Sequence, residues 1–257
     1  MKVKQSEELF DLLEAKYHLY NRSDFVEHDP ISIPHQFSTK EDIEISGFLA
    51  ATIAWGQRIT IIKNSNKILK MMDYAPYDFI INHTSSDLAK ADGFVHRTFN
   101  ATDLKFFFEA LQNLYKNHGG LENAFLQKQG SENSISNFKK IFFSIQHESR
   151  TQKHIADPLK KSTAKRINMY LRWMVRRDKN SVDFGIWKNH HAKDLMIPLD
   201  VHTGNVGRGL GLLNRKQNDW QAVEELTAAL REFDPLDPVK YDFALFGMGV
   251  NGDTENL

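Results

Sequence analysis

The chain has 257 residues, and its 33 Lys and Arg are balanced by 33 Asp and Glu, so the formal net charge is zero. This balance excludes a uniformly basic surface for sequence-independent nucleic-acid binding, although it allows a local basic patch. The absence of cysteine excludes disulfides, thiolate zinc sites, iron–sulfur clusters and cysteine nucleophiles. An apolar share of 41% with 26% charged residues is typical of a soluble globular protein with one large domain or two closely packed ones.

Apolar residues recur at helical spacing through most of the chain. The pattern predicts helices over residues 5–19, 38–55, 60–71, 102–119, 138–145, 163–177, 201–212, 219–232 and 238–248. Alternating strand patterns are weak, and no strand–helix–strand alternation is visible. The sequence therefore predicts an all-α fold.

The polar stretch 147–161 is the predicted break between two helical lobes, approximately 38–146 and 147–250, of a single unit spanning 1–257. The N-terminal helix is expected to pack on either lobe, and the segment after Gly249 is expected to be a frayed tail. The N-terminus has no apolar signal core, and no uncharged apolar run approaches 18 residues. We therefore expect a cytoplasmic protein without a membrane span.

Charge is concentrated in residues 139–179, which contain twelve Lys and Arg against three Asp and Glu, a net charge of +9. The rest of the chain carries 21 basic and 30 acidic residues, a net charge of −9. A concentrated basic segment is typical of a surface that binds a phosphate backbone. A solvated helix face is the alternative interpretation.

Lys165 stands out within this segment. Ser162 is a plausible N-cap, and a capping box would then place Glu or Gln at position 165. The sequence has Lys165 followed by Arg166, and two cations in a first turn oppose the helix dipole. A broken local rule of this kind is typical of functional sites. Lys165 is therefore a candidate nucleophile, with a phosphate-binding lysine as the alternative.

Asp200 is the second candidate, because Pro198 ends the preceding segment and leaves Asp200 where it can cap the next helix. A carboxylate in that position is held rigidly and stays ionised. It could stabilise developing positive charge or accept a proton, or it could be an ordinary structural cap. Gly204, Gly207 and Gly209 follow, and they allow a close backbone approach.

Segments 164–174 and 198–212 together resemble the helix-hairpin-helix DNA glycosylase superfamily, in which one helix carries a catalytic Lys and the next segment supplies a catalytic Asp. Within the superfamily the similarity is closest to archaeal 8-oxoguanine DNA glycosylases. The match covers mainly residues 160–215, and Lys160–Thr163 occupies the place of the usual Gly-x-Gly hairpin.

Nearly the whole chain is also similar to a bacterial family of uncharacterised proteins. The stretches that carry this similarity are Arg172–Arg176, Asp183–Trp187 and Asp237–Gly247.

The glycosylase resemblance implies a helix-hairpin-helix glycosylase-like fold with two helical lobes and the site between them. It implies a DNA N-glycosylase/AP lyase of base-excision repair that acts on an oxidised purine, such as 8-oxoguanine, in double-stranded DNA. Lys165 would attack C1′ and form a Schiff base, and Asp200 would stabilise the oxocarbenium-like charge. No metal, organic cofactor or obligate protein partner is implied.

The same resemblance, together with residue type, suggests two further groups of site residues. The expected base pocket consists of Trp55, Gln57, Arg58, Phe184 and Trp187. The expected DNA-phosphate contacts are Lys160, Lys161, Arg166, His202 and Arg208. For each aromatic residue, packing in the core is the alternative interpretation.

Two other functions remain open at this point. A non-catalytic nucleic-acid-binding protein would keep the basic segment and use Lys165 as a phosphate contact. A metal-dependent phosphohydrolase would use the nitrogen and oxygen donors gathered at His190, His191, Asp194, Asp200 and His202.

Overall fold

The computed structural model describes residues 2–126 and 130–253. Its helices are α1 Lys2–Tyr20, α2 Asp24–Glu27, α3 Lys40–Thr52, α4 Arg58–Met71, α5 Pro76–Asn82, α6 Ser85–Leu88, α7 Ala101–Asn117, α8 Gly120–Ala124, α9 Gly130–Phe142, α10 Lys165–Val175, α11 Val201–Gly209, α12 Trp220–Arg231 and α13 Tyr241–Asn251. Among these residues the only sheet is the antiparallel pair β1 Val95–His96 and β2 Phe99–Asn100. The predicted all-α fold class is confirmed.

The chain forms two compact units. The terminal unit combines Met1–Phe25 with Asp157–Leu257, and the central unit is Val26–Ala156. Both ends of the sequence thus contribute to the terminal unit. Within the described residues, no helix is both long enough and apolar enough to cross a membrane.

Helix α13 is the central helix of the terminal unit, because α1 packs on one of its faces and α11 on another. Glycines allow both contacts. A Cβ on Gly247 would lie 2.2 Å from the ring of Tyr20, and a Cβ on Gly249 would lie 2.8 Å from Cβ of His202. Residues larger than glycine would push the neighbouring helices away from α13.

Phenylalanine rings from α3, α7 and α9 form the core of the central unit. Phe48 of α3 contacts Phe107, Phe138 and Phe142 at ring-centroid distances of 6.0, 5.6 and 5.5 Å. Such offset and edge-on contacts contribute beyond the apolar area that they bury. The amphipathic pattern of α7, which the sequence shows clearly, places its Phe residues in this core.

Several boundaries differ from the sequence prediction. The helix predicted over 38–55 ends at Thr52, and the one predicted over 138–145 corresponds to α9, whose described part already begins at Gly130. The short α5 was not predicted, although Pro76 at its start is favourable there. The tail predicted after Gly249 is wrong for the first two residues, which belong to α13, and residues 254–257 lie outside the described part of the chain.

Candidate functional site

Lys165 is the first residue of α10, and the backbone before it turns sharply. Lys161 and Ala164 both have left-handed conformations, with φ values of +65° and +47°. Ser162 is not the N-cap that the sequence predicts. Its Oγ accepts a hydrogen bond from the amide of Ala164 at 3.2 Å, so the helix starts three residues later. The carbonyl of Lys161 accepts from the amide of Trp220 at 3.2 Å, and α12 thereby anchors this turn.

Asp200 is the N-cap of α11, as predicted. Its Oδ1 accepts a hydrogen bond from the amide of Thr203 at 3.0 Å. Oδ1 is therefore held by the helix amide, whereas Oδ2 can contact other groups. A capping bond of this kind is worth about 1 kcal/mol and holds the side chain in one orientation.

The structure brings Lys165 and Asp200 together, with Lys165 Nζ 3.8 Å from Asp200 Oδ2. The side chains are 28% and 23% exposed, so a small molecule or an extruded base could reach them. The amine also lies 3.8 Å from Sδ of Met169 and 5.9 Å from the ring centre of Phe246. At this distance and exposure the ion pair contributes at most about 1 kcal/mol to stability, so the pair is not needed for folding.

A network that the sequence reasoning missed holds the backbone at Asp200. Asn218 Nδ2 donates to the carbonyl of Asp200 at 3.3 Å, and Asn218 Oδ1 accepts from Nη2 of Arg208 at 2.6 Å. A Cβ at Gly204 would lie 2.9 Å from Asn218 Oδ1 and 3.0 Å from Arg208 Nη1, so a larger residue there would displace these two side chains. Arg208 also donates from Nε to the carbonyl of Arg215 at 2.8 Å, so its guanidinium fixes the loop that follows α11.

Helix α13 forms another wall of the site. His202 donates from Nδ1 to the carbonyl of Gly249 at 3.1 Å, and its ring lies 6.2 Å from that of Phe246. Phe246 therefore contacts both His202 of α11 and Lys165 of α10. Its position one turn after Asp242 places both residues on the same face of α13.

A buried ion-pair network lies behind the exposed pair. On α10, Arg172 follows Lys165 by two turns and donates from Nη1 to Asp242 Oδ2 at 2.5 Å. Arg172 Nε also lies 3.3 Å from Asp183 Oδ1. Burial, together with the charge of Asp200, raises the pKa of Asp242 to about 6, although Arg172 and Lys165 act to lower it. Charged side chains thus continue from the exposed Lys165–Asp200 pair into the core.

Arg176 continues this network at its buried end and is only 1% exposed. It pairs with Asp178, Asp183 and Asp237 at 2.8, 3.0 and 2.8 Å. Burial raises the pKa of Asp183 and that of Asp237. Removing one member of such a network would leave a buried charge uncompensated, which is costly.

The basic segment 139–179 does not present all its cations to solvent. Arg172 and Arg176 are buried, Arg150 pairs with Asp103 at 3.0 Å, and Lys139 Nζ donates to the carbonyls of Gln152 and Ile155 at 3.1 and 2.6 Å. The interpretation of the whole segment as one basic face is therefore wrong for these four. The physical reason is that a count of charges along the sequence does not show which Lys and Arg side chains bind carboxylates or carbonyls in the folded protein.

The predicted phosphate contacts differ in their exposure. Lys160 and Lys161 are exposed on the turn before α10, and His202 is exposed on α11. Arg166 is half-buried, and burial lowers its pKa to about 10, so it stays charged at neutral pH. Arg208 donates a hydrogen bond to the loop that follows α11. Their contact with DNA stays a prediction.

Two predicted pocket residues belong to the terminal unit. Trp187 is 2% exposed and contacts Tyr170 edge-on at 5.6 Å, which is typical of a core residue. Phe184 is half-buried, and its amide donates to the carbonyl of Trp173 at 2.8 Å. Their role in a base pocket stays a prediction.

The other three belong to the central unit, where the chain leaves α3 and enters α4. Trp55 is half-buried between two histidines, stacked on His154 at 6.1 Å and edge-on to His96 at 5.0 Å. Gln57 and Arg58 are exposed at the start of α4. Their contact with a base likewise stays a prediction.

His96 fixes Trp55 in place. Its Nε2 donates to the carbonyl of Trp55 at 3.2 Å, and its Nδ1 accepts from Asn64 at 2.9 Å. His154 Nε2 lies 3.2 Å from Oδ2 of the buried Asp103. Neither histidine stands out in the sequence, because their neighbours are far away along the chain.

The described residues contain no group of three or more His, Asp or Glu side chains arranged to hold a metal ion. The donors from His190 to His202, which the sequence places close together along the chain, do not form such a group there.

Comparison with known proteins identifies one family. The model of the family described as "Protein of unknown function (DUF2400)" matches residues 29–251. No curated protein and no solved structure matches this chain.

Proposed function

The chain belongs to the DUF2400 family, and we propose that it is a DNA N-glycosylase/AP lyase that removes an oxidised purine, such as 8-oxoguanine, from duplex DNA. The observation that carries the proposal is the distance of 3.8 Å between Lys165 Nζ and Asp200 Oδ2 at a partly exposed position. The two residues are 35 positions apart in the sequence, and each stands at the start of its own helix.

The surroundings of the amine suit a nucleophile. Lys165 touches a thioether and an aromatic ring besides its single carboxylate, so little holds the amine against moving to a substrate. Nucleophilic attack requires the neutral amine, so the ammonium group of Lys165 first releases a proton to solvent, and the carboxylate of Asp200 keeps its charge for the cation that develops on the sugar. Oδ1 of Asp200 accepts from the Thr203 amide, which keeps the carboxylate oriented beside the amine.

The proposed reaction proceeds in balanced steps. The neutral amine of Lys165 attacks C1′ of the damaged nucleoside, and the base leaves with the electron pair of the glycosidic bond and takes up a proton from water. Asp200 stabilises the positive charge that develops on the sugar. Loss of the amine proton and opening of the sugar ring give the Schiff base, and removal of a C2′ proton then expels the 3′ phosphate. Neither a metal nor an organic cofactor takes part.

Borohydride trapping tests this chemistry, because borohydride reduces a Schiff base to a stable covalent adduct. We expect the native protein to form an adduct with duplex DNA that contains 8-oxoguanine or an abasic site. Lys165→Ala should lose the adduct while it still binds the duplex, and Asp200→Asn should slow adduct formation roughly 100-fold or more. Lys193→Ala, an exposed lysine of the same unit, is the matched control and should keep the adduct.

Two results would overturn the proposal. One is the absence of any adduct with the native protein on either substrate. The other is an adduct that persists in Lys165→Ala, which would place the nucleophile elsewhere. Duplex binding without an adduct would instead favour a non-catalytic nucleic-acid-binding protein in which Lys165 contacts phosphate.

A further inference from the structure

Helix α4 of the central unit carries a one-sided row of positive charge. Lys63, Lys67 and Lys70 are exposed and follow each other at spacings of four and three residues, which places them on one face of the helix. The opposite face is buried through Ile61, Ile68 and Leu69. No Asp or Glu occurs between Gln57 and Met72. The charged residues that α4 itself contributes to this face, from Lys63 to Lys70, are thus all basic.

This row of like charges destabilises the folded protein. Like charges at these spacings repel each other, and exposed helices usually alternate them with acidic residues. Among the residues that the structure describes, Lys63, Lys67 and Lys70 form neither an ion pair nor a side-chain hydrogen bond. A polyanionic partner would compensate the repulsion that the fold leaves unrelieved.

An arginine from a separate element lies next to the start of α4. Arg97 lies in the turn between β1 and β2 with φ of +54°, a conformation that favours Gly, Asn or Asp and is strained for Arg. Its guanidinium lies beside Gly56, two residues before the start of α4: a Cβ on Gly56 would be 3.2 Å from Arg97 Nη1. The described part of the chain offers Arg97 no ion pair.

The start of α4 itself is also electropositive. Gln57 provides no side-chain hydrogen bond to the helix, and the first turn contains no acidic residue. The positive end of the helix dipole is therefore not neutralised from within the helix. Arg97 and Arg58 increase the positive charge there, and the three lysines extend it along the helix.

Resting on the nucleic-acid partner of the proposed function but not on its Schiff-base chemistry, we propose that the α4 basic face, formed by Lys63, Lys67, Lys70 and Arg97, binds the phosphate backbone of duplex DNA. Lys63 and Lys70 are seven residues apart, or about 10 Å along the helix. Phosphates of one strand rise about 3.4 Å per nucleotide, so the row can follow several of them.

An anionic membrane fits this face less well than DNA does. Helices that bind lipid surfaces insert a broad apolar face beside their basic residues. The apolar face of α4 is buried within the central unit, and the exposed apolar side chain among the cations is the single Ile59, at 82%. A row of positive charges without an exposed apolar face beside it is suited to binding a polyanion such as DNA.

The salt dependence of binding tests the proposal. We compare the full-length protein with Lys63→Gln/Lys67→Gln/Lys70→Gln, using an undamaged duplex and a range of salt concentrations. The variant should weaken binding roughly tenfold or more at 0.1 M salt and reduce the slope of log affinity against log salt by up to about 3, because each phosphate contact contributes about 0.9. Arg97→Gln should lower the slope by up to about 1 in the same way.

The matched control is Lys116→Gln/Lys193→Gln/Lys216→Gln, which removes the same charge from three exposed lysines elsewhere. It should keep the native slope. Circular dichroism of each variant establishes that the fold is intact, and an unfolded triple variant is replaced by the single Lys67→Glu variant.

The outcomes separate this surface from the chemistry at Lys165. A native slope in the α4 variant, an equal loss in the control, or no duplex binding by the native protein would each overturn the proposal. Binding to vesicles rich in anionic lipid, without binding to DNA, would overturn it in favour of a membrane surface. Borohydride trapping in Lys165→Ala reports on the proposed reaction independently, since that variant keeps the α4 basic face.

Discussion

At the scale of single residues, Asp242 connects the exposed pair to the core. It accepts a hydrogen bond from the buried Arg172, and the charges of Asp200 and Lys165 act on it. Lys165 and Arg172 of α10 lower the pKa of Asp242, whereas Asp200 and Asp183 raise it. A carboxylate in this position is the group whose ionisation changes the charge of the site near pH 6. Sequence spacing does not reveal this role, since Asp242 lies 70 residues from Arg172.

The titration of Asp242 predicts a pH-dependent stability. Its pKa is raised from the ordinary value of 3.8 to about 6 in the folded state, so the folded protein binds the proton more tightly than the unfolded chain does. The resulting stability is fully present below pH 3.8 and is lost as pH rises through 6. A pKa difference of this size between the folded and unfolded states corresponds to about 3 kcal/mol.

We therefore expect the free energy of unfolding of the native protein to fall by about 2 kcal/mol between pH 4 and pH 7, relative to Asp242→Asn, which cannot titrate there. Urea denaturation at several pH values measures this difference. Asp11→Asn, at an exposed position, serves as the control and should follow the native curve. Identical pH profiles for the native protein and Asp242→Asn would contradict the prediction.

At the scale of elements, the glycines of α13 decide how closely its neighbours approach. In Gly249→Ala the new Cβ would lie 2.8 Å from Cβ of His202 and 3.2 Å from its backbone, so α11 must shift. We expect a loss of about 1–3 kcal/mol in the free energy of unfolding, as for other overpacked contacts. Chemical denaturation measures it, with the exposed neighbour Val250→Ala as the control, which should change little. An unchanged midpoint for Gly249→Ala would show that α11 and α13 do not need this approach.

Helices with strong local signals are the elements that the sequence predicts well. The apolar spacing places the helix predicted over 219–232 within one residue of α12, and Asp200 caps α11 as expected. The start of α10 was misplaced because Ser162 bonds to a turn amide, and the two left-handed residues beside it are not glycines. Asn218 was missed because its hydrogen bond to the carbonyl of Asp200, 18 positions away, leaves no periodic pattern in the sequence.

At the scale of the whole molecule, the terminal unit depends on residues from both ends of the chain. Tyr17 of α1 accepts a hydrogen bond from Nη2 of Arg176 at 2.7 Å, and Glu14 accepts from Tyr241 at 2.7 Å. Asn21 provides a carbonyl to Nδ2 of Asn180 at 2.6 Å. Local periodicity predicts α1 but not its neighbours, because these contacts join positions about 160 or more residues apart.

Removal of residues 1–21 should therefore destabilise the terminal unit by several kcal/mol, since it uncovers the buried Arg176 and the α13 face around Gly247. Trp55→Phe provides a suitable background: the remaining tryptophans, Trp173, Trp187 and Trp220, all belong to this unit. In that background we expect the fluorescence transition in urea to move to a clearly lower midpoint. Tyr17→Phe gives a graded comparison: it removes the two hydrogen bonds that the Tyr17 hydroxyl accepts, from the buried Arg176 and from Asn21, and should cost about 2–4 kcal/mol. Equal midpoints with and without residues 1–21 would mean that α1 does not stabilise this unit.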